Sequence, residues 1–336
     1  MMRTAFNRNR LAFALFWAVL LIFPAVAPNP YIVNLGVFWL VNLILLASLN
    51  LLMGYGGQIS LSHAAFFGLG AYTSGVLSAK FGLSPWLGSL AAVFLTAALA
   101  ALIGLPTLRL KGHYLAMATL GFNAVISVLF IELRGLTGGP NGLTNVPSFD
   151  LFGFELAGDV RFFYFAWVVA GVVLLLILNL LDSRMGRALR ALSTSEVAAE
   201  SMGVPVFRYK VQLFVLTAAM AAVAGCLYVH HINFASPETF DFMASVMMVV
   251  VVALGGTGTF WGPFLAALVY VALPELLHAF EGFELLLFGV SLVVVLLFFP
   301  RGLAGLLGLR PRPRRAKPAA DASPAAPVAR LSERRL

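Results

Sequence analysis

The chain has 336 residues, of which 61% are apolar and only 11% are charged. Soluble domains carry about 25% charged residues, so this composition excludes an ordinary soluble protein and predicts many membrane-spanning helices. The net charge of +8 is concentrated in residues 310–336, which hold eight cations and two anions, and it therefore does not indicate a nucleic-acid-binding fold.

Apolar stretches of about 20 residues, the length that a helix needs to cross a bilayer, recur along the chain. The first follows three arginines and resembles a signal peptide, but the later stretches favour an uncleaved transmembrane helix. Gly and polar residues interrupt the third, eighth and ninth stretches. We predict an all-α polytopic membrane protein with about ten transmembrane helices, some of them broken or short. The predicted spans are 11–28, 32–53, 61–80, 86–105, 115–132, 162–181, 212–230, 243–260, 262–278 and 284–299.

The cations predict how these spans are oriented. If there are ten spans, both termini lie on one side of the membrane, and that side carries 19 of the 22 Lys and Arg residues. Because cytoplasmic loops are enriched in cations, this distribution places both termini in the cytoplasm. We expect a transmembrane domain over 1–309 and a disordered, basic cytoplasmic tail over 310–336, whose cations lie near anionic lipid.

A charged segment at residues 182–210 separates two apolar spans and carries five cations and three anions, too many for the bilayer core. Ser193 and Glu196 have the S-x-x-E spacing of a capping box, and Gly203, with a proline two residues later, is typical of a helix end. The pattern predicts a short helix over about 194–202 at the cytoplasmic surface. We favour a docking element over an ordinary connecting loop, because such loops are usually short and lack helix signals.

Two segments resemble each other and suggest a weak internal repeat. A Gly pair at 56–57 precedes an apolar stretch that ends at Tyr72, and a pair at 255–256 precedes one that ends at Tyr270. In transporters, paired interruptions of this kind mark broken helices whose free backbone groups meet the solute. Close packing between membrane helices is the other interpretation of these glycines, and the pattern leaves both open.

Polar residues at membrane depth cluster around the first Gly pair and on the fifth span. Thr119 and Asn123 are four residues apart, so one helix face presents both. Along a polar path each could contact solute or water; packing between helices is the alternative for any single residue. A zwitterionic solute would suit such a path, with backbone N–H groups for its carboxylate and carbonyls or hydroxyls for its ammonium. The candidate substrate path comprises Asn50, Gly56, Gly57, Gln58, Ser60, Ser62, His63, Thr119, Asn123, Gly255 and Gly256.

Motifs for catalysis do not occur in the sequence. None of its lysines follows a glycine, so the Gly-Lys-[Ser/Thr] sequence of a P-loop ATPase is absent, as are HExxH and GxSxG. The single cysteine excludes an intrachain disulfide and a thiolate metal cluster. We therefore expect no catalytic residue, no cofactor and no metal. Glu275 and His278, one helical turn apart, could carry protons in a self-sufficient secondary carrier, but a mutually satisfied pair is the simpler interpretation.

Five segments carry a family resemblance. They are SLNLLMGYGGQISLSHAAFFGLGAY at 48–72, RLKGHYLAMATLGF at 109–122, LTGGPNGL at 136–143, GRALRALSTSEVAAESMGV at 186–204 and FFPRGLAGLLG at 298–308. In this order they resemble the permease subunits of branched-chain amino acid ABC importers, and most closely the LivM type. The resemblance covers nearly the whole chain before the tail.

The resemblance implies an ABC importer permease fold in the inner membrane of a bacterium, with ATP hydrolysed by separate cytoplasmic ATPase subunits. It also implies a second, homologous permease subunit, an extracytoplasmic substrate-binding protein and a branched-chain amino acid as substrate. Related permeases move urea or short amides, which are the alternative substrates. The family's EAA-like loop would dock on the ATPase. The residues expected to couple the chain to that ATPase are Glu196, Ala198, Ala199, Gly203, Arg187 and Arg190.

Overall fold

The computed structural model describes residues 2–110, 112–151, 154–156, 158–277, 289–290, 293 and 303–306, and over these residues the protein is almost entirely helical. The strands of the described part form a two-residue antiparallel hairpin, β1 (Asp150–Leu151) with β2 (Phe154–Glu155), and an isolated bridge joins Leu143 to Ala235. The helices, numbered in chain order, are α1 (Met2–Leu20), α2 (Phe23–Val26), α3 (Pro30–Asn50), α4 (His63–Ala79), α5 (Pro85–Thr107), α6 (His113–Glu132), α7 (Arg134–Thr137), α8 (Asp159–Asp182), α9 (Arg184–Thr194), α10 (Glu196–Ser201), α11 (Val206–Ile232), α12 (Phe242–Gly255), α13 (Gly262–Leu277) and α14 (Leu303–Leu306).

Several helices of the described part are long and apolar enough to cross a membrane, which confirms an all-α polytopic membrane protein. Helices α12 and α13 are apolar but shorter, as is the stretch Leu11–Val26, which comprises the end of α1, a turn and α2. The predicted span 284–299 lies almost entirely outside the described residues, as do the tail 310–336 and His278, so the total of ten spans stays a prediction. The five long segments are Pro30–Tyr55, Pro85–Thr107, His113–Glu132, Asp159–Asp182 and Val206–Ile232.

Two predicted spans are wrong in their bounds. The span predicted over 243–260 is too long, because α12 ends where Gly256 takes φ +109° and turns the chain out of the helix. The span predicted over 11–28 is not one helix: α1 ends at Leu20, and the short α2 begins with Pro24 in its first turn. Proline lacks the N–H that would continue a helix but is compatible with a helix start, which explains the division.

Helix α4 lies in the interior of the protein, against α5 and α11. It meets α11 at glycines: a Cβ added at Gly70 would lie 2.3 Å from the Ala222 carbonyl oxygen, and one at Gly225 would lie 2.0 Å from the Phe67 oxygen. Glycine therefore allows the two backbones to approach closely, as in many membrane helix pairs. With 17 residues, α4 is short for a bilayer span, and most of its residues are buried by protein. Polar groups at its start therefore need partners on neighbouring helices.

The outward faces of α5 and α6 are apolar and exposed. An apolar face of this size is stable only against lipid or against another apolar surface. The two helices therefore form part of the perimeter that meets the bilayer or a second subunit. The large exposed residues on this perimeter include Leu87, Leu90, Phe94, Leu102, Met117, Val125 and Val128.

Candidate functional site

The first candidate feature is a break in a membrane helix. Helix α3 is regular to Asn50, continues as a π-helical turn over Leu51–Tyr55, and gives way to non-helical backbone before α4 begins at His63. Gly57 has φ +64°, a left-handed conformation that favours glycine. Turns of the π type inside helices occur frequently at functional sites. The first Gly pair therefore does mark an interruption of the helix.

The second break separates α12 from α13. Gly256 and Gly258 have φ +109° and +71°, so the chain leaves α12 through two left-handed glycines. The Thr259 hydroxyl closes the turn, because it donates to the Gly256 carbonyl oxygen at 2.8 Å and accepts from the Gly262 amide at 3.0 Å. The second predicted Gly pair thus also marks a helix interruption.

The two breaks touch each other, and Asn50 joins them. The Nδ2 of its side chain donates to the Thr259 carbonyl oxygen at 2.9 Å, and the side-chain oxygen Oδ1 accepts from the Gly258 amide at 2.9 Å. The contact is close enough that a Cβ added at Gly54 would lie 2.1 Å from the Gly258 nitrogen. Asn50 is 3% exposed, so this contact is buried. Asn50, a predicted path residue, therefore holds the backbone of the second break.

Hydroxyl groups from two other helices cap the start of α4. The Leu61 amide donates to the Thr119 hydroxyl of α6 at 3.0 Å, and the Ala64 amide donates to the Ser245 hydroxyl of α12 at 3.0 Å. Ser60 and Ser62 bind each other through their hydroxyls at 2.9 Å. The backbone N–H groups of Leu61 and Ala64, of the kind we expected to bind a carboxylate, are therefore already occupied by side chains.

His63 and a further serine extend this polar cluster. The His63 Nε2 lies 2.9 Å from the Ser48 hydroxyl, which also donates to the Leu45 carbonyl oxygen. The sequence alone did not indicate a role for Ser48, Ser245 or Thr259. Ser48 and Ser245 are lone hydroxyls within apolar runs, but nothing in the sequence indicates which helix such a hydroxyl faces.

Two buried side-chain amides in the cluster are unpartnered. Gln58 is 2% exposed and Asn123 is not exposed at all. Neither the nitrogen nor the oxygen of either amide has a hydrogen-bond partner within the described part of the chain. Since buried polar groups are nearly always satisfied, four unpartnered amide atoms close to the two breaks are unusual.

The charged segment folds as two helices, which corrects the single helix predicted over 194–202. Helix α9 extends through Thr194, and the cap of α10 is Ser195, whose hydroxyl accepts from the Ala198 amide at 3.3 Å. The predicted capping role of Ser193 is wrong, because Ser193 is helical and its hydroxyl donates to the Arg190 carbonyl oxygen. The residue that caps a helix N-terminus typically has extended backbone. Ser195 has this conformation and Ser193 does not, so Ser195 is the cap.

Helix α10 is held against α11 by an ion pair. The Lys210 ammonium contacts the Glu196 carboxylate at 2.5 Å, and the lysine side chain is only 8% exposed. Gly203 follows α10 with φ +78°, which confirms the predicted helix end, and its amide donates to the Glu200 carbonyl oxygen at 2.9 Å. Val197 and Met202, by contrast, are 70% and 82% exposed. Helix α10 and its end therefore present two large apolar side chains to the outside of the chain.

Helix α9 lies against the first break. A Cβ added at Gly57 would meet the Ser193 Cα at 3.6 Å, an ordinary packing distance. Arg190 and Arg187, both predicted coupling residues, donate to the carbonyl oxygens of Leu181 and Asp182 at the end of α8. Of the other predicted coupling residues, Ala199 is buried and Ala198 is exposed. The charged segment is thus in direct contact with the broken helix.

Glu275 lies apart from this cluster. The Tyr31 hydroxyl, at the start of α3, donates to its carboxylate at 2.7 Å. The breaks adjoin the opposite ends of both helices that carry this pair. His278, its predicted partner in proton transfer, lies outside the described residues. The structure therefore does not bring Glu275 together with the predicted path residues.

The chain matches one protein family over most of its length. A family model described as "Branched-chain amino acid transport system / permease component" matches residues 31–299. The chain is 33% identical over 294 residues to the high-affinity branched-chain amino acid transport system permease protein LivM of Salmonella typhimurium, which covers 81% of this chain and 69% of that relative. It is 24% identical over 319 residues to the probable LivM permease of Methanocaldococcus jannaschii, which covers 80% of this chain and 90% of the relative.

A second type of permease is also similar to part of the chain. The LivH permease of Salmonella typhimurium is 33% identical over 143 residues, which covers 41% of this chain and 46% of that relative. No solved structure matches the chain. These relatives are transport permease components rather than enzymes. Because the family model covers most of its residues and a relative is 33% identical over 81% of it, the protein belongs to the family of permease components of branched-chain amino acid transport systems.

Proposed function

We propose that the protein is a membrane permease subunit of an ATP-driven ABC importer for leucine, isoleucine and valine. Family membership supports the solute class. One observation carries the coupling part of the proposal: the charged segment packs directly on the first helix break, where Gly57 meets Ser193. A force applied to α9 and α10 from the cytoplasm therefore acts on the broken helix without any intervening element.

The substrate path in this proposal runs past the two breaks, which Asn50 joins into one unit. Solute would pass the polar side chains on the first break and on the facing side of α6. When the ATPase subunits close on nucleotide, displacement of α9 and α10 moves the joined breaks and exposes the path to the other side. The energy comes from the partner, which binds the two states of the permease with different affinity.

The docking surface in this proposal is the exposed end of α10. Glu196 is engaged by Lys210, so its carboxylate holds α10 in place on α11. Val197 and Met202 are free to insert into an apolar cleft of the ATPase, since both are largely exposed. Exposed apolar groups in an aqueous segment are typical of a contact with another protein.

The assembly and the topology are proposed along the same lines. We propose ten spans, with both termini in the cytoplasm of a bacterium and the transmembrane domain, 1–309, in its inner membrane. The partners are two cytoplasmic ATPase subunits, a second homologous permease subunit and an extracytoplasmic binding protein that delivers the amino acid. The similarity to both LivM and LivH supports the pairing of two related permeases.

Co-purification of a P-loop ATPase with the tagged chain tests this proposal. The substitution V197D places a charge on the apolar end of α10, and we expect it to release the ATPase. The matched control T144D adds the same charge to an exposed residue in the loop predicted to be extracytoplasmic, and it should retain the ATPase. Equal recovery of the ATPase with both variants would exclude α10 as the docking surface. Leucine uptake by the chain alone, driven by a proton gradient, would contradict the whole proposal.

A further inference from the structure

The four unpartnered amide atoms of Gln58 and Asn123 form a pattern that the packing of the protein does not explain. A buried amide without a partner is unfavourable, because it has lost water and gained nothing in exchange. Other polar side chains around the breaks are engaged: Asn50 binds the second break, and Thr119 binds the Leu61 amide. The Nδ1 of His63 is the further unpartnered side-chain atom of this cluster in the described part of the chain. Two unsatisfied amides beside such a cluster indicate that a further polar molecule completes it.

The two amides belong to elements that are in direct contact. The Leu61 amide binds Thr119 at 3.0 Å, and Gln58 precedes Leu61 by three residues on the non-helical backbone of the first break. Asn123 lies one helical turn beyond Thr119 on the same face of α6. The contact therefore joins the two elements that carry the unpartnered amides, one amide on the break and one on α6.

An aromatic group adjoins this contact. The ring of Phe66, in the first turn of α4, lies 5.4 Å from the ring of Phe122 and 5.4 Å from that of Phe214. Phe122 is the residue next to Asn123 on α6. If the amides bind the polar head group of a solute, the branched apolar side chain of that solute can contact these aromatic rings. The arrangement therefore favours an amphipathic solute.

The chemistry of the amides matches a zwitterion. Each carboxamide offers an NH2 group that donates to a carboxylate and a carbonyl oxygen that accepts from an ammonium. Neutral amides bind both charges without a permanent ion pair, which suits a path that the solute must also leave. The backbone amides of Leu61 and Ala64 are not available for this task, because the hydroxyls of Thr119 and Ser245 already accept from them.

We propose that the carboxamides of Gln58 and Asn123 bind the zwitterionic head group of the transported amino acid. This inference rests on the proposed function and specifies which residues of the path recognise the solute. Thr119 connects the first break to the helix that carries Asn123, and Asn50 holds the backbone of the second break in place.

Uptake of radiolabelled leucine by the chain assembled with its partner subunits in proteoliposomes tests the assignment. The variants Q58L and N123L remove both hydrogen-bonding atoms of one amide while keeping a similar volume. The matched control T96V removes a different buried, unpartnered polar group, the hydroxyl of Thr96 on α5. We expect leucine uptake to fall at least about tenfold in each leucine variant, because a site built on hydrogen bonds loses them, and to change less than about twofold in the control.

The outcomes separate this assignment from the proposed function. If Q58L or N123L takes up leucine at the rate of the control, the assignment is overturned, whereas the proposed importer function is not. An equal fall in T96V would show a general loss of packing and would overturn it as well. If a leucine variant fails to co-purify with the ATPase, Q58S or N123S is measured and read in the same way, because a short hydroxyl does not reach the solute. Uptake of urea instead of leucine by the unaltered chain would refute both the proposed substrate and the zwitterion.

Discussion

The contact between the two helix breaks leaves no room for a side chain on Gly54, so we predict that Gly54→Ala separates them. The added Cβ would lie 2.1 Å from the Gly258 nitrogen and 2.7 Å from its Cα, whereas ordinary contact begins at 3.4 Å. Both opposing atoms belong to backbone and do not rotate away. The second break must therefore move outward by about 1 Å or more.

The energetic cost follows from the hydrogen bonds that this movement stretches. Asn50 makes two hydrogen bonds of 2.9 Å to the second break. A shift of about 1 Å lengthens both donor–acceptor distances beyond the range of a hydrogen bond. Each buried group left without a partner costs about 1–3 kcal/mol. We therefore expect Gly54→Ala to lower the free energy of unfolding by about 2–4 kcal/mol. The two losses are not fully additive, because both hydrogen bonds are made by the Asn50 side chain.

The assay is thermal unfolding in detergent, followed by tryptophan fluorescence, together with leucine uptake by the assembled importer. The matched control is Gly121→Ala, because no atom lies within 4 Å of a Cβ added there and alanine favours the helix by up to about 1 kcal/mol. The control should melt at the same temperature or slightly higher. An unaltered melting temperature and normal uptake in Gly54→Ala would refute the reasoning that the breaks act as one unit.

Three further perturbations probe the same packing. Asn50→Leu should lower the free energy of unfolding by about 2–4 kcal/mol, because it removes both hydrogen bonds to the second break. The double variant with Gly54→Ala should lose less stability than the sum of the two single variants. Strict additivity in thermal unfolding would show that the two substitutions do not act on the same contact. Glu196→Gln should destabilise α10, because it leaves the buried Lys210 ammonium without its carboxylate. The double variant Glu196→Gln/Lys210→Met should be less destabilised, since it removes that ammonium as well. A coupling energy of zero between the two residues, at both low and high salt, would contradict this. Gly225→Ala should abolish folding in the membrane, since its Cβ meets a backbone oxygen at 2.0 Å, whereas Gly135→Ala, which meets nothing, should express normally on fluorescence-detected gel filtration.

The sequence by itself determined the class of protein, several of the spans and two of the places where a helix breaks. The transfer of apolar residues from water to lipid depends on local composition, so long apolar runs predict helices without knowledge of their neighbours. Glycine at positive φ is likewise a local property, which is why the Gly pairs and Gly203 marked real interruptions. The prediction that residues 182–210 lie in water rests on charge density, which is also a local property, and the quoted motifs were enough to indicate the family.

Only the tertiary structure decided which polar groups meet. Asn50 and Thr259 are 209 positions apart, and Ala64 and Ser245 are 181 positions apart, so no local pattern reveals either contact. The ion pair of Glu196 with Lys210 and the cap at Ser195 also depend on how α9 and α10 fold back on α11. Hydrogen bonds of this kind form wherever packing brings a donor and an acceptor together, and that packing is set by the crossing of distant helices at residues such as Gly70 and Gly225.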